Sequence, residues 1–145
     1  MCDEKVLGPL LGHCANRAKE RMDVRLTESD VTPAQVRVLH YLYHHDNQVS
    51  QSDITAYLKV KPSTANGILS RMEEKELLRR SISGMDARKR WITLTEKGVA
   101  RQEHCRQAFR ETEALLVQGL SEQEQEQLYA LLLRVYANLE EDRNS

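Results

Sequence analysis

Residues 78–94 form a stretch that alternates with a period of two. Leu78, Arg80 and Ile82 alternate on one limb and Arg90, Ile92 and Leu94 on the other, with the polar run SGMDARK between them. To either side, apolar residues recur at helical spacing. Side chains repeat every two residues on a strand and about every 3.6 on a helix. The pattern therefore predicts a mostly α chain with one small two-stranded β-hairpin.

Helix-start signals divide the rest. Leu7, Leu10, Leu11, Cys14, Ala15, Ala18 and Met22 predict a first helix to about Leu26, with Pro9 tolerable in its first turn. Thr32-Pro33-Ala34-Gln35 is a capping box with proline at the first helical position, and Val36, Leu39, Leu42 and Tyr43 form the inward face behind it. Ser50-Gln51-Ser52-Asp53 resembles a second box and opens a short third helix, with Ile54 and Leu58 inward. Pro62 opens a fourth helix, whose apolar residues Ala65, Ile68, Leu69 and Met72 make one narrow stripe. Thr95 caps a long fifth helix. Ser121-Glu122-Gln123-Glu124 starts a sixth, lined by Leu128, Leu131, Leu132, Val135 and Leu139.

At 145 residues the chain is expected to be a single domain, 1–145, with a real core. No apolar run approaches the roughly 20 residues that span a bilayer, and MCDEKVLGPLL lacks a signal-peptide pattern, so no membrane partner is expected. The three cysteines, Cys2, Cys14 and Cys105, fit neither a disulfide framework nor a Cys-x-x-Cys site. A reducing cytoplasm is the expected location. The net charge of −1 hides an asymmetry. Residues 59–101 carry 11 basic and 5 acidic side chains, whereas both flanking segments are net acidic. A basic middle third suits a polyanionic partner, double-stranded DNA.

Two features give that surface a shape. Opposite its apolar stripe, the fourth helix shows Ser63, Thr64, Asn66, Gly67, Ser70 and Arg71, with Lys61 just before it. A helix entering the ~12 Å wide major groove needs short side chains near its N-terminus, and donors and acceptors for base edges. Gly67 in mid-helix costs roughly 1 kcal/mol against alanine, which suits a close approach. The hairpin tip carries Arg88, Lys89 and Arg90. Arginine fits a narrow minor groove. Arg79, Arg80, Lys89 and Arg90 are expected at phosphates, and Asp86 is expected to orient a cation, Arg88 or Arg71. Gly84 would let the hairpin turn, and Trp91 would pack on its outer face.

These residues resemble the MarR family of bacterial transcription regulators. The text that carries the likeness is TPAQVRVLHYL, then VSQSDITAYLKVKPSTANGILSRMEEKELLRR, then Asp86-x-Arg88 followed by Leu94-Thr95-Glu96-Lys97-Gly98. The resemblance implies a winged helix-turn-helix lobe at about 32–95 and a dimerisation lobe from helices at about 5–26 and 96–142. It implies a homodimer reading a near-palindromic operator, with the fourth helix as recognition helix and Arg88 as the wing arginine. It also implies repression relieved by a small effector. Family members often carry glycine at the position of Glu76, so Glu76 must avoid the left-handed conformation or accept its cost.

The family senses small aromatic or phenolic ligands, oxidants through cysteine, or metals. His13, Arg17, His40 and Tyr43 are candidates for an effector cleft between the first two helices. Cys14 is the redox candidate, with a structural apolar role as the alternative. His40, His44, His45, His104 and Cys105 raise a metal reading, but adjacent pairs point to different sides of a helix, so no metal site is assigned. No phosphate-binding glycine loop, paired-carboxylate motif or nucleophile motif is present, so no catalytic residue and no cofactor are assigned. A winged helix used only for protein contacts is the competing class.

Overall fold

Local capping chemistry starts four of the helices. The computed structural model describes residues 5–45, 49–82 and 88–143. Its elements are α1 (Leu7–Glu28), α2 (Pro33–His44), β1 (Val49–Ser50), α3 (Gln51–Leu58), α4 (Pro62–Glu74), β2 (Leu78–Ser81), β3 (Trp91–Leu94), α5 (Glu96–Leu116) and α6 (Glu122–Arg143). Thr32 and Gln35 close their box at 3.2 Å in both directions. Ser50 and Asp53 close theirs at 2.9 and 3.1 Å, and Ser121 and Glu124 do likewise. Each box satisfies amide donors that a helix start leaves orphaned.

The sheet differs from the two-stranded hairpin expected. It has three antiparallel strands in the order β1-β3-β2. Val49 lies opposite Ile92, and Arg80 lies opposite Ile92 from the other side. β1 is only two residues long, so it carries no alternation of its own; pairing with β3 defines it. The Gln51 amide continues that edge by donating to the Arg90 carbonyl at 3.0 Å.

The chain separates into two compact units, residues 1–110 and 111–145. In the first, Val38, Leu39, Ile54, Ala65, Leu69, Met72, Leu77, Leu78 and Ile92 are buried. They join α2, α3, α4 and the sheet into a winged helix-turn-helix. In the second, Gly119 turns the chain at φ +85°, and α6 buries none of its described side chains.

Two left-handed residues end the central helices. Lys59 has φ +56° after α3, and Glu76 has φ +62° after α4. The Glu76 amide donates to the Glu73 carbonyl at 2.9 Å and the Leu77 amide to that of Met72 at 3.0 Å. This is a Schellman closure, with buried Leu77 and Met72 as its apolar pair. Glu76 thus takes the left-handed conformation and carries its cost of about 1–2 kcal/mol. Gly98 passes against the next residue: a Cβ there would overlap the Leu77 carbonyl oxygen.

Candidate nucleic-acid interface

α4 presents the face its stripe demands. Ala65, Leu69 and Met72 are buried, while Ser63, Thr64, Asn66 and Arg71 are exposed and Gly67 and Ser70 half-buried. Lys61, at the extended N-cap position, is also exposed. A Cβ added at Gly67 would meet nothing within 4 Å. The fold itself therefore does not require glycine at this position.

The wing supplies cations beside this face. Arg88, Lys89 and Arg90 are exposed. With Gln51, Ser52 and Lys59 they line a depression of about 670 Å³ between α3 and the wing. Lys89 Nζ lies 5.5 Å from the centre of the half-buried Trp91 ring, so the ring's face serves a cation on the wing. Asp86 and Gly84 lie outside the described residues, as does Cys2.

Arg80, expected at a phosphate, has partners within the protein, whereas Arg79 is exposed. The Arg80 side chain is only 11% exposed. Its Nη1 donates to Asn66 Oδ1 at 2.8 Å and to Gln51 Oε1 at 3.5 Å. Its Nη2 donates to Ser70 Oγ at 2.9 Å and to Glu73 Oε1 at 3.2 Å. Glu73 also accepts the Arg80 amide through Oε2 at 3.2 Å. Arg80 therefore ties β2 to α3 and to the outward face of α4. Alternation carried the signal, since Arg80 shares a strand face with Leu78. Arg79 lines a concavity with Glu73, Glu76 and Glu96.

The four expected effector residues do not converge. His13 and Arg17 are exposed on α1, where Arg17 pairs with Glu20 at 3.2 Å. The Tyr43 hydroxyl donates to Glu103 Oε1 at 2.8 Å, which raises its pKa. Of the four, only His40 lines an apolar cavity of about 440 Å³, with Met22, Val36, Arg37, His44, Tyr57, Gln102, Cys105, Arg106 and Phe109. Partial burial, then the neighbouring His44 and His45, lower the His40 pKa. Gln102 is 3% exposed, and its Oε1 has no partner among the described residues. α5 supplies this wall, which a pairing of the first two helices could not foresee. Cys14 is exposed and Cys105 buried. Among the described residues, no three His, Cys, Asp or Glu side chains gather as a metal site.

A helix-turn-helix whose recognition helix shows small hydrogen-bonding residues, flanked by a basic wing, is a DNA-binding module of the winged-helix class. The MarR family model matches residues 29–89. Solved structures agree over nearly the whole chain. MepR, a transcription regulator of the Staphylococcus aureus multidrug efflux pump MepA, is 32% identical with a TM-score of 0.81, covering 92% of this chain and 98% of that one. An S. aureus MepR–DNA complex is likewise 32% identical with a TM-score of 0.73, covering 93% and 99%. S. aureus MepR bound to ethidium bromide gives 32% and 0.72, covering 95% and 99%. The chain belongs to the MarR family and is a DNA-binding transcription regulator, not an enzyme.

Proposed function

We propose that this chain is a homodimeric repressor that reads a near-palindromic operator at its own or a neighbouring operon, and that a small aromatic acid releases it. The observation that carries the reading is the exposed polar face of α4 together with a wing whose Arg88, Lys89 and Arg90 line a depression with α3. Lys61, Ser63, Thr64, Asn66, Gly67, Ser70 and Arg71 would face the major groove, Arg88 the minor groove, and Lys89 and Arg90 the phosphates. Arg80 would act by holding Asn66 and Ser70 in place.

Exposed apolar side chains support the dimer. Leu7, Leu10 and Leu11 on α1 and Leu128, Leu131, Leu132 and Leu139 on α6 are each at least 37% exposed. Apolar faces this long on a soluble protein mark association surfaces. The cavity supports an acidic aromatic ligand: Met22, Val36, Tyr57 and Phe109 supply apolar wall, and Arg37 and Arg106 supply cations for a carboxylate.

The test is salt-titrated binding to DNA flanking the protein's own gene, with unrelated DNA as competitor and sedimentation to count protomers. Competitor-resistant binding by a dimer is expected, with affinity at least about 10³ above non-specific binding. Arg88→Ala should weaken it and flatten the salt dependence. Sequence-blind binding that ignores Arg88→Ala overturns the operator reading and favours a winged helix used for protein contacts.

A further inference from the structure

The hydrogen bonds around Asn66 restrict what this residue can recognise. A guanidinium only donates, so the Asn66 atom facing Arg80 Nη1 at 2.8 Å is the amide oxygen. Gln51 Nε2 donates to the same oxygen at 3.3 Å. Gln51 is itself oriented by Arg80, which donates to its Oε1. Both lone-pair directions of Asn66 Oδ1 are thus taken by the protein. Its Nδ2 meets no acceptor among the described residues, and Asn66 is exposed on the outward face of α4.

An asparagine with a free amide pairs with adenine by donating to N7 and accepting from the N6 amino group. Here the accepting half is occupied, and two N–H donors remain. In the major groove, guanine offers two adjacent acceptors, N7 and O6; adenine and thymine offer one each, and cytosine offers a donor. We propose that the Arg80–Gln51 clamp makes Asn66 a donor-only reader that selects guanine at one position of each half-site. Arg80 is a positioning residue in this scheme and touches no base. The inference rests on the operator reading above.

The experiment is selection of binding sites by the full-length protein from a random duplex library, followed by base-by-base affinity measurements with wild type, Asn66→Ala and Arg80→Met. One position per half-site should prefer guanine by roughly tenfold in wild type and lose that preference in Asn66→Ala. 7-Deazaguanine at that position should weaken wild type and leave Asn66→Ala unmoved; this comparison does not depend on how Arg80→Met folds. Folded Arg80→Met should shift the position toward adenine, because the lone pair of Oδ1 that Arg80 occupied is freed to accept. A library that enriches no sequence overturns the operator reading and this inference with it. Enrichment in which Asn66 governs no position, or governs a base other than guanine, overturns this inference alone.

Discussion

The Thr95 hydroxyl donates to the Glu76 carbonyl oxygen and accepts the Gly98 amide at 3.0 Å. One side chain thus caps α5 and ties down the turn that ends α4. Thr95→Val keeps the shape and removes both bonds. Urea denaturation should show a loss of about 1–2 kcal/mol. Thr95→Ser should retain most of the stability; an undiminished urea midpoint in Thr95→Val would show that the two hydroxyl bonds contribute nothing.

Glu76 sits at φ +62°, a region that costs a side-chain-bearing residue about 1–2 kcal/mol. Glu76→Gly should therefore raise stability by about 1 kcal/mol, seen as a higher urea midpoint at unchanged slope. A lower midpoint would mean that the Glu76 side chain makes a contact outweighing its backbone strain.

The hydrogen bond from the Arg80 side chain, more than the charge of Arg80, holds the Glu73 carboxyl below its ordinary pKa of 4.5. A depressed folded-state value stabilises the protein above the ordinary pKa, and that contribution is lost as pH falls through the folded value. The Glu73 side chain is 41% exposed, so salt screens the effect. Glu73→Gln should flatten the decline in urea midpoint between about pH 5 and 3. An unchanged slope would show that Glu73 does not set it.

Burial makes Cys105 unreactive: it is 3% exposed, and desolvation raises its thiol above the ordinary 9.0. With Cys2 and Cys14 replaced by serine, a colourless aromatic disulfide reagent at pH 8 should react with Cys105 only as fast as the fold opens, and denaturant should accelerate it. Immediate stoichiometric release of thiolate would contradict this burial.

What was legible in the sequence was what local chemistry decides. Thr32, Ser50, Thr95 and Ser121 each announce a helix within four residues, and each does so in the structure. The α4 stripe also held, because one helix's periodicity is enough to divide its faces. What depends on distant partners did not show. β1 exists by pairing with residues over forty positions on. The cavity around His40 needs Gln102, Cys105, Arg106 and Phe109 from α5, so His13, Arg17 and Tyr43 were grouped with it on helix order alone. Arg80 was counted among surface cations because composition cannot show that Asn66, Ser70 and Glu73 would turn toward it.

Gly67 separates stability from binding. It lies mid-helix in α4, where glycine is less favourable than alanine by about 0.5–1 kcal/mol. Nothing lies within 4 Å of where its Cβ would stand, so Gly67→Ala adds no clash inside the chain. Urea denaturation should show the variant more stable by about 0.5–1 kcal/mol. Its neighbours Ser63, Thr64 and Asn66 share the exposed face proposed for the major groove, where an added methyl keeps the helix backbone from approaching. The same variant should therefore bind operator DNA more weakly, while its weak binding to unrelated DNA, carried by wing and phosphate-facing cations, stays near wild type. Stabilisation with undiminished operator affinity would place Gly67 away from the DNA and move the recognition surface along α4 toward Ser70 and Arg71.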